Sequence, residues 1–355
     1  MLIALLFTGF ISRFPLIIEK WYSMGIYRII GQGLSGFTGL FPLSLAELIV
    51  LIFFALIIFH LLSFIKKIYL GKADTHDLFR YTLNILLTLG ILYFSFMILW
   101  GFHYHRLPFS DISDLDIRPS SIEELEALCV HLIDQTNTLR QSVSENIDGV
   151  TKIQGGYSDV FRRASYGYKN ASSRYPELGG IYGKPKAVLL SKALSYAGIS
   201  GIYFPFTGEA NVNTLIPDSM LPCTTSHEMA HQRGFAREDE ANYIAYLTCT
   251  LHPDPDFQYS GSLLALIYSM NALTDQSTEK YTSLRSKYSL GVKKDLQAIQ
   301  QYWDKYEGPI EKASDRLNDA YLKANEQEAG VQSYGRMVDL LIAEFRKNSQ
   351  QMISQ

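Results

Sequence analysis

The sequence predicts a mainly helical protein in two parts: transmembrane helices at the N-terminus, then an α+β domain with a small sheet. Two observations support this fold class. Most of the long apolar runs lie before Gly101, and the rest of the chain combines helical periodicity with two short β-like runs. With 355 residues, the chain has room for a membrane part over residues 1–105 and a domain over residues 106–355.

Two uninterrupted apolar runs predict transmembrane helices. Residues 43–65 (LSLAELIVLIFFALIIFHLLSFI) contain one charged residue, Glu47, and residues 81–101 (YTLNILLTLGILYFSFMILWG) contain none. Each is about 20 residues long, which is the length a helix needs to cross roughly 30 Å of hydrocarbon. Residues 1–18 are interrupted by Arg13 and Pro15, and we expect a third, tilted span there, with an interfacial helix as the alternative. The glycine-rich residues 22–42 can lie along the membrane surface.

The charge distribution predicts the orientation of these helices. The connection between the two runs carries Lys66, Lys67, Lys72 and Arg80, and basic loops stay on the cytoplasmic side. We therefore expect a multi-pass protein of the cytoplasmic membrane, with everything after Trp100 outside the cytoplasm. The net charge is −3 and there is no basic tract, so the lipid bilayer is expected as a partner and nucleic acid is not.

The exported domain is expected to be mainly helical. Ser121 and Glu124 form a capping-box pattern at the start of a helix that should run to about Val143. Further helices are predicted at residues 158–173, at SGSLLALIYSMNAL, over the polar residues 278–325 and over residues 334–345. KAVLL and GISGIYFPF predict short strands, because they are rich in β-branched and aromatic residues, and TGEANVNTLIPDSMLPCT is expected to be irregular.

The stretch CTTSHEMAHQRGFAREDEANYIAYLTC contains the residues best suited to chemistry. In a helix, His227 and His231 lie on one face, so their imidazoles converge on one point, as ligands of a zinc ion must. Glu228 lies within reach of a water molecule on that metal but is turned away from direct ligation. This HExxH pattern is the signature of zinc hydrolases, in which the glutamate is the general base. Ser226 or Thr225 is expected to cap the helix just before the histidines.

The third metal ligand is expected from an acidic helix that follows the turn at Gly234. The candidates are Glu238, Asp239, Glu240 and, upstream, Glu209. Helical phase favours Glu238, because it shares a face with Asn242, which can orient a ligating group from one turn away. This assignment requires the helix to begin near Arg237, since a start two residues later would turn Glu240 toward the metal instead.

The run GFAREDEAN resembles the Glu-x-x-Ala-Asp element that follows HExxH in membrane-anchored gluzincins of the Ste24 and HtpX type. Matched residue by residue, Glu238 falls on their zinc-binding glutamate and Asn242 on the aspartate that supports the site, so Asn replaces Asp here. The stretches SYAGISGIYFPFTGEANVNTLIP, HEMAHQRGFAREDEANYIAYL and SYGRMVDLL are similar to an uncharacterised bacterial family of three-span membrane proteins, a domain of unknown function with a metallopeptidase motif. This resemblance covers nearly the whole chain and implies its topology and zinc chemistry, without a substrate.

Several other residues are weaker candidates for the site. Tyr203, Tyr243 and Tyr334 can donate hydrogen bonds to a tetrahedral intermediate, although tyrosines in a chain this rich in them more often belong to the core. Arg336 precedes an apolar helix and should be paired, for example with a site carboxylate. Glu209, in GIYFPFTGEANVN, is polar among apolar strands and can face the cleft. That segment is either an ordinary strand and turn or an edge strand that pairs with an extended substrate.

Together these patterns predict a membrane-anchored zinc metallopeptidase. Zn²⁺ would be held by His227, His231 and Glu238, and Glu228 would act as general base on a zinc-bound water that attacks a peptide bond of a peptide or protein substrate. One alternative is a non-catalytic binding or sensor protein braced by zinc, with Cys223 as the fourth ligand that structural sites usually have. The other is a zinc hydrolase of cell-wall or lipid amide bonds.

Overall fold

The computed structural model describes residues 9, 11, 13–72, 74–325 and 336–353, and in the last range it describes side chains up to residue 350. Most of the predicted first span, and Tyr334, lie outside the described residues. The chain is mainly helical, as predicted. After the apolar part, the α-helices are Phe109–Ser113, Ile122–Arg140, Gly156–Arg163, Ser165–Ala171, Ser191–Tyr196, Leu221–Gln232, Glu238–Thr250, Pro255–Gln276, Thr278–Arg285, Leu290–Asp304, Pro309–Ala324 and Met337–Ile353.

The two apolar runs form the helices Leu45–Tyr69 and Thr75–Leu99, called here the first and second apolar helices. Both are long and apolar enough to cross a bilayer, and almost none of the residues in their most apolar stretches are buried. The first apolar helix begins where the Ser44 hydroxyl accepts the backbone N–H of Glu47 at 3.0 Å. The second begins with a capping box between Asp74 and Asp77. The prediction of these two helices is confirmed.

Residues 15–38, called here the N-terminal helix, precede the first apolar helix. They form one continuous helical run, made of Pro15–Ile17, a π-helical stretch Ile18–Tyr27 and Arg28–Thr38. The short 3₁₀ segment Gly101–His105 connects the second apolar helix to the domain.

The sheet has three short strands in the order β1-β3-β2. β1 (Lys186–Ala187) runs parallel to β3 (Glu209–Val212), and β2 (Gly201–Phe204) runs antiparallel to it, with Tyr203 opposite Ala210. The expectation that TGEANVNT is irregular is wrong, because EANV forms the central strand. Its polar side chains are buried and hydrogen-bonded to other parts of the chain, which a pattern of apolar alternation does not detect.

The core of the domain lies among three long helices, Ile122–Arg140, Glu238–Thr250 and Pro255–Gln276. Leu132, Ile244 and Leu263 contribute one fully buried side chain from each of them. The predicted capping box of Ser121 and Glu124 is present, and its helix ends three residues before the expected Val143. The predicted helix at residues 158–173 is divided at Ala164, while the last helix extends beyond its predicted end to Ile353.

The helix that carries the two histidines, Leu221–Gln232, is called here the histidine helix. It begins at Leu221 with Pro222 in its first turn, so the prediction that Ser226 or Thr225 caps it is wrong. The Thr225 hydroxyl instead donates to the Leu221 carbonyl within the helix at 2.7 Å. The helix ends at Gln232, and the chain turns as predicted at Gly234, which has a φ of 78°. The acidic helix, Glu238–Thr250, follows at once with Arg237 as its N-cap.

Candidate metal centre

The structure brings together the three side chains predicted as metal ligands. One ligand atom each from His227, His231 and Glu238 lies within 4.8 Å of the others. A single carboxylate oxygen of Glu238 is 3.2 Å from Nε2 of His227 and 3.5 Å from Nε2 of His231. The two imidazole rings are nearly perpendicular, with centroids 4.6 Å apart. Two imidazole nitrogens and one carboxylate oxygen thus point at a common position, and this is a donor set that zinc accepts.

The acidic helix places Glu238 toward the histidines and Glu240 away from them. Because the helix begins at Glu238, the Glu238 carboxylate is in its first turn and faces back to the histidine helix. The Glu240 carboxylate instead accepts the backbone N–H of Phe109 at 2.8 Å and pairs with Arg237 at 2.9 Å. The structure therefore brings the candidate favoured by helical phase to the histidines and directs the alternative to the opposite side.

The backbone after the histidine helix fixes the orientation of His231. Its Nδ1 lies 2.7 Å from the Phe235 carbonyl oxygen, so a proton on Nδ1 donates to that oxygen and Nε2 is left facing Glu238. Arg106 holds the same turn: its fully buried guanidinium donates to the Gly234 carbonyl at 3.0 Å and packs 3.9 Å from the centre of the Phe235 ring. Hydrogen bonding of one ring nitrogen to a carbonyl is the usual arrangement around metal-binding histidines.

The protonation of the cluster follows from the proximity of its charges. Burial alone would lower the pKa of His231, but the Glu238 carboxylate raises it to about 9. Burial alone would raise the pKa of Glu238, but the attraction of His231 and the hydrogen bonds from both imidazoles bring it well below its ordinary value. Without a metal, the cluster is therefore held together by a protonated His231 and an ionised Glu238.

Glu228 lies behind the histidines and against β2. Its side chain is buried directly on Gly201: a Cβ built on that glycine would be only 2.6 Å from Oε1 of Glu228. Among the described residues, Oε2 of Glu228 has no hydrogen-bond partner. Burial raises the pKa of Glu228 to about 7, although the imidazoles and a backbone hydrogen bond from Tyr203 favour its ionised form. This carboxylate is thus suited to exchanging protons near neutral pH.

Asn242, on the acidic helix, meets Tyr268, on the helix Pro255–Gln276, near Glu238. The Asn242 amide donates to the Tyr268 hydroxyl at 3.4 Å, and burial followed by the charge of Glu238 raises the pKa of Tyr268 to about 12. Asn242 therefore lies on the predicted face of the helix. Tyr268 was not predicted, because the core helix that carries it gave no signal beyond apolar periodicity.

Two aromatic residues that the sequence assigned elsewhere border the cluster. Trp100, which follows the last residue of the second apolar helix, lies edge-on to His231 with ring centroids 5.5 Å apart. Its indole N–H donates at 3.1 Å to the hydroxyl of Tyr321, from the helix Pro309–Ala324. Burial chiefly raises the pKa of Tyr321, and the charge of Glu238 adds to it. Trp100 is one residue beyond a helix long enough to cross a bilayer, so the cluster lies at one end of that helix.

The side chains of Glu209 and Tyr203 are bonded to earlier parts of the chain. The Glu209 carboxylate accepts the backbone N–H groups of Leu45 at 3.2 Å and Ala46 at 2.7 Å, so it caps the start of the first apolar helix and does not face the cleft. The Tyr203 hydroxyl shares a hydrogen bond of 2.8 Å with Tyr27 and is committed to the N-terminal helix. The sequence showed that these polar side chains needed hydrogen-bond partners, but it did not show which groups those partners were.

Arg336 and Tyr243 also lie away from the three ligands. Arg336 is exposed. Burial raises the pKa values of the Asp239 and Asp339 carboxyl groups, and the charge of Arg336 partly offsets that rise. The expected pairing with a carboxylate of the metal cluster is therefore not seen. Tyr243 is fully buried in the core.

Cys223 is not part of the metal cluster. Its thiol faces Cys249 of the acidic helix, and the Cys249 thiol in turn donates to the Ser226 hydroxyl at 3.3 Å. Hydrogen bonding to Cys249 and burial raise the pKa of Cys223, so its thiol is protonated at neutral pH. The three cysteines are free and buried. The group of histidine and carboxylate ligands found among the described residues thus contains three protein ligands and no sulfur.

Comparison with known proteins identifies a family. Residues 22–342 match a family model described as "Protein of unknown function (DUF3810)". The match includes both apolar helices, the histidine helix and the acidic helix, so the resemblance to an uncharacterised family is confirmed over most of the chain. No curated protein and no solved structure matches.

Proposed function

We propose that this chain, which belongs to the DUF3810 family of proteins of unknown function, is a membrane-anchored zinc metallopeptidase. One observation carries the proposal: the ligand atoms of His227, His231 and Glu238 converge while the adjacent Glu228 keeps a buried carboxylate oxygen without a hydrogen-bond partner among the described residues. A structural metal site has no use for such a group. A hydrolytic site needs a proton acceptor beside the metal.

The residues present fit zinc. The donor set of two imidazoles and one carboxylate is found in hydrolytic zinc sites, which have three protein ligands and one open position, whereas structural sites usually have four protein ligands. The Phe235 carbonyl and the Arg106 guanidinium support His231 from behind, as in sites where a ligand is fixed before metal binding. A bound zinc ion would act as a Lewis acid toward water and toward the carbonyl of the substrate.

The remaining chemistry is assigned to residues of the chain. Glu228 takes a proton from the attacking water and transfers it to the amine of the departing peptide, so that the carboxylate is regenerated. Gly201 makes room for this carboxylate, and the Tyr203 backbone holds it by a hydrogen bond. Within the described part of the chain, β2 pairs on one side only, so its other edge is free to bind an extended peptide beside Glu228.

The membrane topology is a further part of the proposal. The two apolar helices span the cytoplasmic membrane, and Lys66, Lys67, Lys72 and Arg80 keep their connection in the cytoplasm, which places the metal centre outside. A periplasmic-type reporter fused after Gly101 should be active and one inserted at Gly71 inactive, with a cytoplasmic reporter showing the opposite pattern. Reversed activities would place the metal centre in the cytoplasm.

The decisive experiment compares Glu228→Gln with the wild type. Both proteins should contain about one zinc ion per chain by elemental analysis. Only the wild type should cleave peptides in a profiling library, because the amide of glutamine cannot accept the proton. Glu145→Gln, at an exposed position, serves as the matched control and should cleave like the wild type.

Three outcomes would contradict the proposal. Cleavage by Glu228→Gln at the wild-type rate would refute the assigned mechanism. Zinc binding by a wild-type protein that cleaves no substrate would favour a zinc-braced binding or sensor protein. Hydrolysis of N-acyl lipids or cell-wall amides, but not of peptides, would keep the role of Glu228 and change the substrate class.

A further inference from the structure

The N-terminal helix packs its polar side against the domain and exposes its apolar side. Its domain-facing positions are mostly polar or small, whereas its exposed positions are mostly apolar, with Lys20 as the only charged residue exposed in residues 15–38. Trp21 is 66% exposed and Ile29 is 76% exposed. The other large apolar side chains exposed on this helix are Leu16, Ile17, Ile26 and Phe37. A surface helix in water does the opposite and buries its apolar side.

The polar side is fixed to the domain by specific bonds. Glu19 forms a bidentate, buried ion pair with Arg106 at 2.6 and 2.8 Å. Ser23 is 3.1 Å from Nδ1 of His103, and the Thr38 hydroxyl donates to the Thr207 carbonyl at 3.0 Å. Turning the helix over would break these bonds and leave buried charges unpaired, so the apolar side has to face outward.

The outward side continues the apolar surface of the other two helices. Ser44, six residues after the end of the N-terminal helix, caps the first apolar helix. The Tyr22 hydroxyl donates to the Ile98 carbonyl in the last turn of the second apolar helix at 2.5 Å. Both apolar helices are themselves exposed along their apolar stretches. Leu40, Phe41 and Leu43, between the N-terminal helix and the first apolar helix, are exposed as well, so the apolar exposure continues along the chain from one helix into the other.

We infer that the outward side of the N-terminal helix contacts the lipid bilayer and that this contact holds the metal centre at the membrane surface. The inference rests on the membrane anchoring in the proposed function. A bilayer is the occupant this surface fits, because the surface is continuous with two helices of membrane-spanning length and carries Trp21 beside Lys20, a combination typical of the lipid–water interface. Arg106 connects this helix to the metal centre, since its guanidinium binds Glu19 on the helix and the Gly234 carbonyl next to His231.

Cysteine accessibility tests the inference with the full chain in lipid vesicles. The three native cysteines are buried, so the background is low. Ile29→Cys should be protected from a membrane-impermeant maleimide and become reactive when the vesicles are dissolved in denaturing detergent. Ile147→Cys, at a fully exposed position of the domain, is the matched control and should react in intact vesicles that present the domain outward.

Tryptophan quenching distinguishes lipid from a protein partner on the same surface. The chain has three tryptophans, so vesicles with brominated acyl chains should quench part of the wild-type fluorescence, and that part should be missing in Trp21→Phe. Protection of Ile29→Cys without quenching of Trp21 would overturn the inference in favour of a protein partner. Equal labelling of Ile29→Cys and Ile147→Cys in vesicle-bound protein would overturn it outright. Failure of the protein to sediment with vesicles would instead refute the anchoring itself.

Discussion

Gly201→Ala tests whether the position of the Glu228 carboxylate matters for catalysis. A methyl group at this position would lie 2.6 Å from Oε1 and 2.7 Å from Cγ of Glu228, whereas an ordinary contact is about 3.5–4.0 Å. The side chain must therefore move by about 1 Å. The Gly201 backbone does not have a positive φ, so alanine adopts it without strain. Because Cγ, close to the backbone, is also too near and the Glu228 side chain is buried, we expect a cost of about 1–3 kcal/mol in stability.

The catalytic effect should appear in protein that is still folded, because a loss of about 1–3 kcal/mol lowers stability without unfolding the chain. A displacement of about 1 Å at a reacting group can cost roughly 100-fold in rate. We therefore expect kcat for a cleaved peptide to fall about 10–100-fold in Gly201→Ala, with a zinc content close to that of the wild type and a melting temperature lower by only a few degrees. Gly308→Ala is the matched control, because a methyl group there meets nothing within 4 Å, and its kcat should not change.

Two results would refute this reasoning. Wild-type kcat in Gly201→Ala would show that the Glu228 carboxylate does not act from the position seen here. Loss of zinc, or a large drop in melting temperature, would show that Gly201 supports the fold or the metal ligands and that the rate reports on them. Measuring kcat, zinc content and thermal unfolding on the same preparations separates these cases.

The other predictions concern metal binding. Glu238→Ala should lose most of its zinc, and Glu240→Ala should keep it. Asn242→Ala should lose about 10–100-fold in zinc affinity or activity. Zinc retained in Glu238→Ala but lost in Glu240→Ala would refute the ligand assignment. Zinc affinity should rise about tenfold per pH unit from neutral pH to about 9 and then level off, because the Glu238 carboxylate keeps His231 protonated up to that pH and a metal ion must displace the proton. Competition with a chelator across this range measures the slope, and a flat profile would contradict the protonated pair.

The sequence by itself determined the features that depend on short-range geometry. A helix of the required length follows from an uninterrupted apolar run, and both apolar helices are where that rule places them. The spacing of His227 and His231 puts them on one face, and the turn at Gly234 restarts the chain so that Glu238 faces the histidines. These relations involve residues within about three helical turns of each other, so periodicity and backbone preference were sufficient.

The tertiary structure alone decided which distant groups meet. Glu209 looked like a candidate for the cleft, and its true partners are two N–H groups at the start of a helix more than 160 residues earlier in the chain. Trp100 was predicted as part of the apolar run 81–101, and its ring lies against His231. No short-range pattern specifies such contacts, because a buried polar or aromatic group is satisfied by any suitable partner that packing brings to it.

The same reason explains the two errors in local structure. The histidine helix begins at Leu221 because Pro222 suits a first turn and the whole turn is buried by the surrounding domain, which outweighs the capping preference of Ser226. β3 forms from a polar segment because its side chains are hydrogen-bonded to the neighbouring parts of the chain. The sequence thus determined the spacing and the helical phase of the candidate metal ligands. Burial and long-range hydrogen bonds determined the position of Glu228 against Gly201. They also determined that the apolar side of the N-terminal helix faces outward.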